Sequence, residues 1–246
     1  MSNLKRVSTG IEGLDRILGG GYPEERTILI SGPAGAGKST FGLQFLVSGI
    51  AEYDSPGIYC SFDESLENVR NDALSYGWDL KALEEQNLLA MIDGYSERAG
   101  VQSGEEYITK LEVDELLSLL IRLIDSIGAE RVVIDSITAI ALSLDSELVV
   151  RKEILKLSAV MSALTCTTLM ISEAINSKEI SRFGVEEFMA QGVISLKYEF
   201  GSSGRRTIQV RKMRGIKHSL RERPFLINNR GIEVFPDEQL YGIKKF

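Results

Sequence analysis

The chain has 246 residues, enough for one large α/β domain, and its 43% apolar and 26% charged residues are the composition of a folded protein. No apolar run is long enough to span a bilayer, Met1 to Lys5 lacks the core of a secretory signal, and one histidine with two distant cysteines, Cys60 and Cys166, leaves no zinc constellation; the expectation is a cytoplasmic protein with reduced core thiols. The net charge of −7 is uneven: residues 197–230 carry ten Lys and Arg against Glu199 and Glu222, a net of +8, which leaves −15 on the rest.

In chain order, Thr27 to Ile30 is an apolar run that predicts a buried strand. It leads into Gly32, Pro33, Ala34, Gly35, Ala36, Gly37, Lys38, Ser39 and Thr40, which fit G-x-x-x-x-G-K-S/T, the phosphate-binding loop of nucleotide triphosphatases. A helical pattern with Phe41, Phe45 and Ile50 follows. Glycines let backbone N–H groups turn inward around phosphate oxygens, and the helix N-terminus adds partial positive charge. Lys38 can neutralise the β- and γ-phosphates, and the Ser39 hydroxyl can ligate Mg²⁺. The plain alternative is a glycine-rich turn that binds nothing; strand, loop and helix in this order favour nucleotide.

Residues 57–62 predict a second strand, 65–76 a helix with Ser65 as N-cap, and 88–92 a short strand. Residues 113–127 place Val113, Leu117, Leu120, Ile124 and Ile127 on one helical face, before a buried strand over 131–135. Residues 147–164 give another amphipathic helix, with Val150, Ile154, Leu157, Met161 and Leu164 in line, and 167–172 the next strand. After that the pattern changes to short strands at 192–198, 206–213, 224–228 and 231–235, with no long helix between them. The fold class expected is α/β: a mostly parallel twisted sheet covered on both faces, with C-terminal antiparallel strands extending one edge. No repeat, low-complexity segment or linker divides the chain, so residues 1–246 read as one domain.

Several residues carry possible chemistry. Asp135 ends an apolar strand and can reach Mg²⁺ through water, or can cap the next turn. Asp63 and Glu64 follow the second strand, where carboxyl ends line the ligand crevice of a doubly wound sheet. That strand is expected near the phosphate-loop strand. A carboxylate there can orient or deprotonate an attacking water; acids also favour helix N-termini for their own sake. Glu173 is either a γ-phosphate sensor acting through water or a loop acid. Lys212 and Arg214, at i and i+2, share one face if the strand is regular. They are either a basic finger for a nucleotide on the next subunit or a solvated strand face. His218 by itself reads as a solvated loop residue. The basic segment suits nucleic acid, an acidic neighbouring subunit with its nucleotide, or only solvent.

Together these pieces resemble a family. Ser8-Thr-Gly-Ile-Glu-Gly-Leu-Asp-Arg-Ile-Leu-Gly-Gly-Gly21 resembles the opening of RecA-superfamily ATPases of the KaiC and RadA kind. Ser61-Phe-Asp-Glu-Ser65, Tyr76-Gly-Trp-Asp79, Arg131-Val-Val-Ile-Asp-Ser-Ile137 and Lys212-Met-Arg-Gly215 followed by His218 are similar to KaiC in particular. The resemblance runs from about Val7 to Pro236, and the chain looks like a single-domain, archaeal-type KaiC-like ATPase. It implies a RecA-like core that binds ATP and Mg²⁺, with nucleotide between subunits of a ring, often a hexamer. Asp63 and Glu64 match the paired catalytic glutamates, with Glu64 the expected main base. Lys212 and Arg214 match the Lys-x-Arg pair that reaches the neighbour's phosphates, and His218 matches a position near that interface. Where this chain departs from the pattern, Asp63 stands for the first glutamate and Glu173 stands where related recombinases often carry Gln. Val185-Glu-Glu-Phe-Met189 replaces the adjacent Ser-Thr pair phosphorylated in KaiC, although Ser177 and Ser181 leave hydroxyls nearby.

The expectation is an oligomeric ATPase with slow turnover that acts as a nucleotide-dependent switch. A recombinase paralogue that binds single-stranded DNA is the first alternative. The loop from Ala174 to Phe188 is a thin platform for it: Lys178 and Arg182 are offset by Glu179, Glu186 and Glu187, and Phe183 is the one aromatic before Phe188. A non-hydrolysing ATP-gated scaffold and an autokinase are the others. Nucleic acid is not favoured as a partner, and no protein partner is specified.

Overall fold

Strands buried on both faces can satisfy their backbone groups only against other strands, so the apolar runs must pair. The computed structural model describes residues 4–174, 180–198 and 204–238. Strands β1 (Arg6–Val7) and β2 (Tyr22–Pro23) form a short antiparallel ribbon flanking helix α1 (Glu12–Leu18). Strand β3 (Thr27–Gly32) leads through the glycine loop into α2 (Lys38–Tyr53). Next come β4 (Gly57–Ser61), α3 (Leu66–Leu74), α4 (Leu80–Glu85), β5 (Leu89–Asp93), α5 (Tyr95–Ala99) and β6 (Tyr107–Ile108). The alternating part closes with α6 (Val113–Ile127), β7 (Arg131–Asp135), α7 (Ile137–Leu142), α8 (Glu147–Ala163) and β8 (Thr167–Glu173). Then follow α9 (Glu186–Met189), β9 (Gly192–Tyr198), β10 (Arg206–Met213), β11 (Arg223–Asn228) and β12 (Gly231–Val234).

The main sheet has the order β12-β11-β10-β9-β3-β8-β7-β4-β5-β6. Every pair from β9 through β3 to β6 is parallel, and β9 to β12 pair antiparallel. The α/β expectation holds, with two refinements. First, β9 joins β3 in parallel before the antiparallel strands begin. Second, the strand carrying Asp63 and Glu64 is not beside the phosphate-loop strand, because β8 and β7 lie between β3 and β4. Neighbours in sequence are separated here because the crossover helices return the chain to the sheet centre.

Period-two alternation sorts side chains to opposite faces. Ile28, Ile30 and Tyr59 pack with Phe41 and Phe45 of α2. Leu29, Ile58, Cys60 and Ile134 pack with Leu116 and Leu120 of α6 and Leu157 and Met161 of α8. Both cysteines are buried free thiols. The buried Arg131 guanidinium lies 4.6 Å over the Phe45 ring and donates to Phe45 O at 2.8 Å and Ser8 O at 3.1 Å. Gly49 makes this possible, since a Cβ there would come within 2.2 Å of Arg131 Nε. The arginine therefore ties the helix that begins at the phosphate loop to the strand that ends in Asp135.

The helix expected over 65–76 is α3, two residues shorter at its end. Ser65 is its N-cap, accepting from Asn68 N at 3.3 Å, and the chain turns at Gly77, whose φ is 78°. Helices α1, α4, α5, α7 and α9 and strands β1, β2 and β6 were not expected, because elements of two to seven residues are too short to show a hydrophobic period. Among the described residues, no helix is long and apolar enough to cross a membrane.

Candidate functional site

Parallel strands all end on one edge of a sheet, and the loops leaving β3, β4, β7 and β8 converge there. Lys38, Ser39, Asp63, Glu64, Asp135 and Glu173 line a single cavity of about 500 Å³ at that edge. A slightly larger hollow of about 590 Å³, between α1 and the segment from Asn228 to Glu238, contains none of these groups.

The loop needs its glycines. Gly35 and Gly37 have φ of 75° and 94°, in the left-handed region where a Cβ is strained. A Cβ on Gly32 would meet Leu196 O at 2.6 Å. Lys38 opens α2, and its Nζ donates to Pro33 O at 2.9 Å. Burial lowers the Lys38 pKa, while Asp135, Glu173 and Asp63 pull it back up. An ammonium held among carboxylates in this way is ready to exchange a weak carbonyl contact for phosphate oxygens.

Asp135 is 7% exposed and accepts from the Tyr59 hydroxyl at 2.7 Å. Burial raises its pKa, and hydrogen bonds from Ser39 and Tyr59 lower it. It does not cap α7; Ser136 does, accepting from Ala139 N at 3.3 Å. Asp135 and the hydroxyl of Ser39 are hard oxygen donors side by side, which suits Mg²⁺ with its remaining positions filled by phosphate and water. Among the described residues, no cluster of three or more His, Cys, Asp or Glu could hold a metal by itself.

The two acids after β4 have different surroundings. Asp63 has both oxygens engaged, by Arg98 Nη1 at 2.6 Å and Ser136 Oγ at 2.5 Å. Burial raises the pKa of Glu64, Asp72 adds to this, and a hydrogen bond with Asn68 opposes it. Glu173 pairs with Arg182 at 3.1 Å. Ser181 is buried with its hydroxyl on Glu187, so it is not a free acceptor; Ser177, Lys178 and Glu179 lie outside the described residues.

Lys212, Arg214 and His218 are not brought to this cavity. Met213 pairs with Gly192, and Gly192 pairs with Ile28 at the start of β3. The pair therefore sits at the amino end of the strands, four strand residues from Gly32, on the order of 13 Å away. They also do not share one strand face as expected. The ladder shifts between Val210 and Lys212, and β10 stops at Met213, which leaves Arg214 exposed beyond it. Lys212 Nζ is held by Glu187 O at 3.0 Å and Ala190 O at 2.7 Å. His218 is half-buried rather than solvated, with Nδ1 3.4 Å from Ile216 O.

Sequence reasoning overlooked four neighbours of the site: Tyr59, Arg98, Tyr76 and Arg206. The Tyr76 hydroxyl is 3.4 Å from Thr40 Oγ1, and its ring lies 4.8 Å from that of Trp78. Arg206 donates to Gly35 O at 3.4 Å. Tyr76, Tyr59 and Arg206 lay in stretches already singled out, but with no site role attached to them. The contacts of Tyr59, Arg98 and Arg206 are long-range and carry no local signal.

The family model described as "ATPase: KaiC" matches residues 7–239. The circadian clock oscillator protein KaiC of Thermostichus vulcanus is 38% identical over 237 residues, which is 96% of this chain and 45% of that protein. KaiC of Synechococcus elongatus is 36% identical over 235 residues, covering 95% of this chain and 44% of its own length. The chain thus spans less than half the length of these curated relatives. A crystal structure of a KaiC-like protein from the archaeon Pyrococcus horikoshii OT3 superposes with a TM-score of 0.83 at 36% identity, covering 95% of this chain and all of that one.

Proposed function

The chain belongs to the KaiC ATPase family, and from that premise we propose that it binds ATP with Mg²⁺ and hydrolyses it slowly in a ring of like subunits, as a nucleotide-dependent switch. The observation that carries the reading is the division of the charged groups. Lys38, Ser39, Glu64 and Asp135 share one cavity, while Lys212 and Arg214 lie at the opposite end of the sheet. A subunit cannot bring its own pair to its own phosphates, so the pair serves a neighbour or serves nothing. A head-to-tail contact of this kind closes into a ring when its rotation closes.

Each residue then has a role. The loop N–H groups and Lys38 hold the β- and γ-phosphates. Ser39 would ligate Mg²⁺, with Asp135 acting on it through water; the ion would neutralise charge on the phosphate oxygens. Glu64 accepts the proton of the attacking water as its oxygen bonds to the γ-phosphorus. The bond to the β-bridging oxygen breaks, and ADP leaves with that electron pair. Asp63, fixed by Arg98 and Ser136, holds the loop that presents Glu64. The neighbour's Lys212 and Arg214 stabilise the charge that develops on the transferring group. The Tyr76 ring beside Thr40 offers a face for the base.

The test is the hydrolysis rate per subunit as protein concentration is raised, with molecular size measured on the same samples. The expected curve climbs and saturates as rings assemble. Full turnover in a fraction shown to be monomeric would sink the reading. Asp63's engagement on both oxygens also favours a weaker catalyst, and ATP rather than ADP retained in purified rings would mark a nucleotide-gated scaffold instead.

A pH profile checks the base. A general base works only when ionised, and burial with nearby Asp72 raises the Glu64 pKa. Turnover should therefore fall as the pH drops through that raised value, at a higher pH than an ordinary glutamate would give. Glu64→Gln should remove most of the turnover and this acid limb with it. A limb in the ordinary glutamate range or below it would contradict the assignment.

A further inference from the structure

Tyr59 is in the middle of β4, is 1% exposed, and packs on the α2 side of the sheet. Its ring is ordinary core, but its hydroxyl is not explained by packing. Tyr59 pairs with Val133, so Asp135 is its diagonal neighbour two residues further along β7. On one sheet face, such diagonal positions are within reach only of long side chains. The phenol spans that gap and donates to Asp135 Oδ2 at 2.7 Å. Ser39, in the first turn of α2, lines the same cavity wall as both. The three groups stand together in the cavity wall, anchored on three different elements.

A terminal carboxylate on a strand end can otherwise rotate about its last bond. Partners that hold a metal-binding carboxylate from behind set its orientation and hence metal affinity. We propose that Tyr59 is a positioning residue for the metal: its hydroxyl fixes one oxygen of Asp135 and leaves the other for the Mg²⁺ that accompanies the nucleotide at Ser39. This rests on the assignment of Ser39 and Asp135 to Mg²⁺ made above. Tyr59 acts through Asp135, the partner to which its hydroxyl donates.

The experiment compares wild type with Tyr59→Phe, which keeps the ring and removes the donor. Mn²⁺ binding to the ADP-loaded protein is read by electron paramagnetic resonance, and ADP binding in EDTA by calorimetry. The expected result is Mn²⁺ affinity about 10–100-fold weaker, the scale seen when such supporting partners are lost, with metal-free ADP affinity changed by less than about 2-fold. Unchanged Mn²⁺ affinity overturns the proposal. A matching loss of metal-free ADP binding also overturns it, because the hydroxyl would then hold the pocket as a whole. A wild type that binds no ADP, or whose ADP gains no Mn²⁺ affinity from the protein, overturns the underlying ATPase reading instead.

Discussion

Lys38→Ala is expected to abolish hydrolysis and to weaken nucleotide binding by about 100-fold or more, the worth of a charge-assisted hydrogen bond of up to ~3 kcal/mol. The electrostatics of the cavity are the reason. Its wall holds four carboxylates, Asp63, Glu64, Asp135 and Glu173, and Lys38 is the only cation among the described lining residues. Arg98 and Arg182 each neutralise one acid, Asp63 and Glu173. Without Lys38, a nucleotide polyanion would meet Glu64 and Asp135 without the one compensating cation among the described lining residues. The substitution is well placed for the test, because alanine is a good helix former and Lys38 donates only to a loop carbonyl. Fluorescent-nucleotide titration and phosphate release are the measurements. Turnover unchanged in this variant would refute the nucleotide site itself.

Arg214→Ala is expected to lower kcat by about 10²–10³-fold, as the loss of one donor to transition-state charge does. Thermal stability should change little, because the Arg214 side chain is exposed. Lys212→Ala is the less clean variant, since Lys212 also holds the carbonyls of Glu187 and Ala190. The decisive step is mixing. A subunit with Lys38→Ala still carries Arg214, and a subunit with Arg214→Ala still carries Lys38. In randomly mixed rings joined head to tail, about a quarter of the interfaces would pair an intact pocket with an intact arginine. Each variant alone should be nearly inactive, and the mixture should recover about that fraction of wild-type turnover. No recovery from mixtures shown to co-assemble would mean that the arginine acts within its own subunit or not at all.

The phosphate loop was legible because its requirements are local. Positive φ at Gly35 and Gly37, a lysine heading a helix and an apolar strand before it are all written in consecutive residues. The acids were legible for a related reason. Asp63, Glu64, Asp135 and Glu173 each end or directly follow an apolar run, and strand ends are where a parallel sheet gathers its ligands. The strand expected near β3 lies three places from it, with β8 and β7 between, and Glu64 still reaches the cavity because all four strands finish on the same edge.

The residues that support the acids were not legible. Tyr59 and Asp135 are 76 positions apart, Arg98 and Asp63 are 35 apart, and neither pair leaves a spacing in the sequence. Lys212 and Arg214 read as a matched pair on one strand until the ladder shift and the end of β10 separated them.

The sequence by itself determined the local parts: which segments extend, which coil, where the backbone must turn around phosphate, and which short-range charges stand at strand ends. These follow from side-chain periodicity and from the φ values that only glycine tolerates. Only the tertiary structure decided the strand order, the engagement of Asp63 on both oxygens beside the half-buried Glu64, the hydroxyl behind Asp135, and the placing of the basic pair at the far end of the sheet. Those depend on which distant strands share hydrogen bonds and which faces they bury together, a choice made by packing of the whole core rather than by any neighbouring residue.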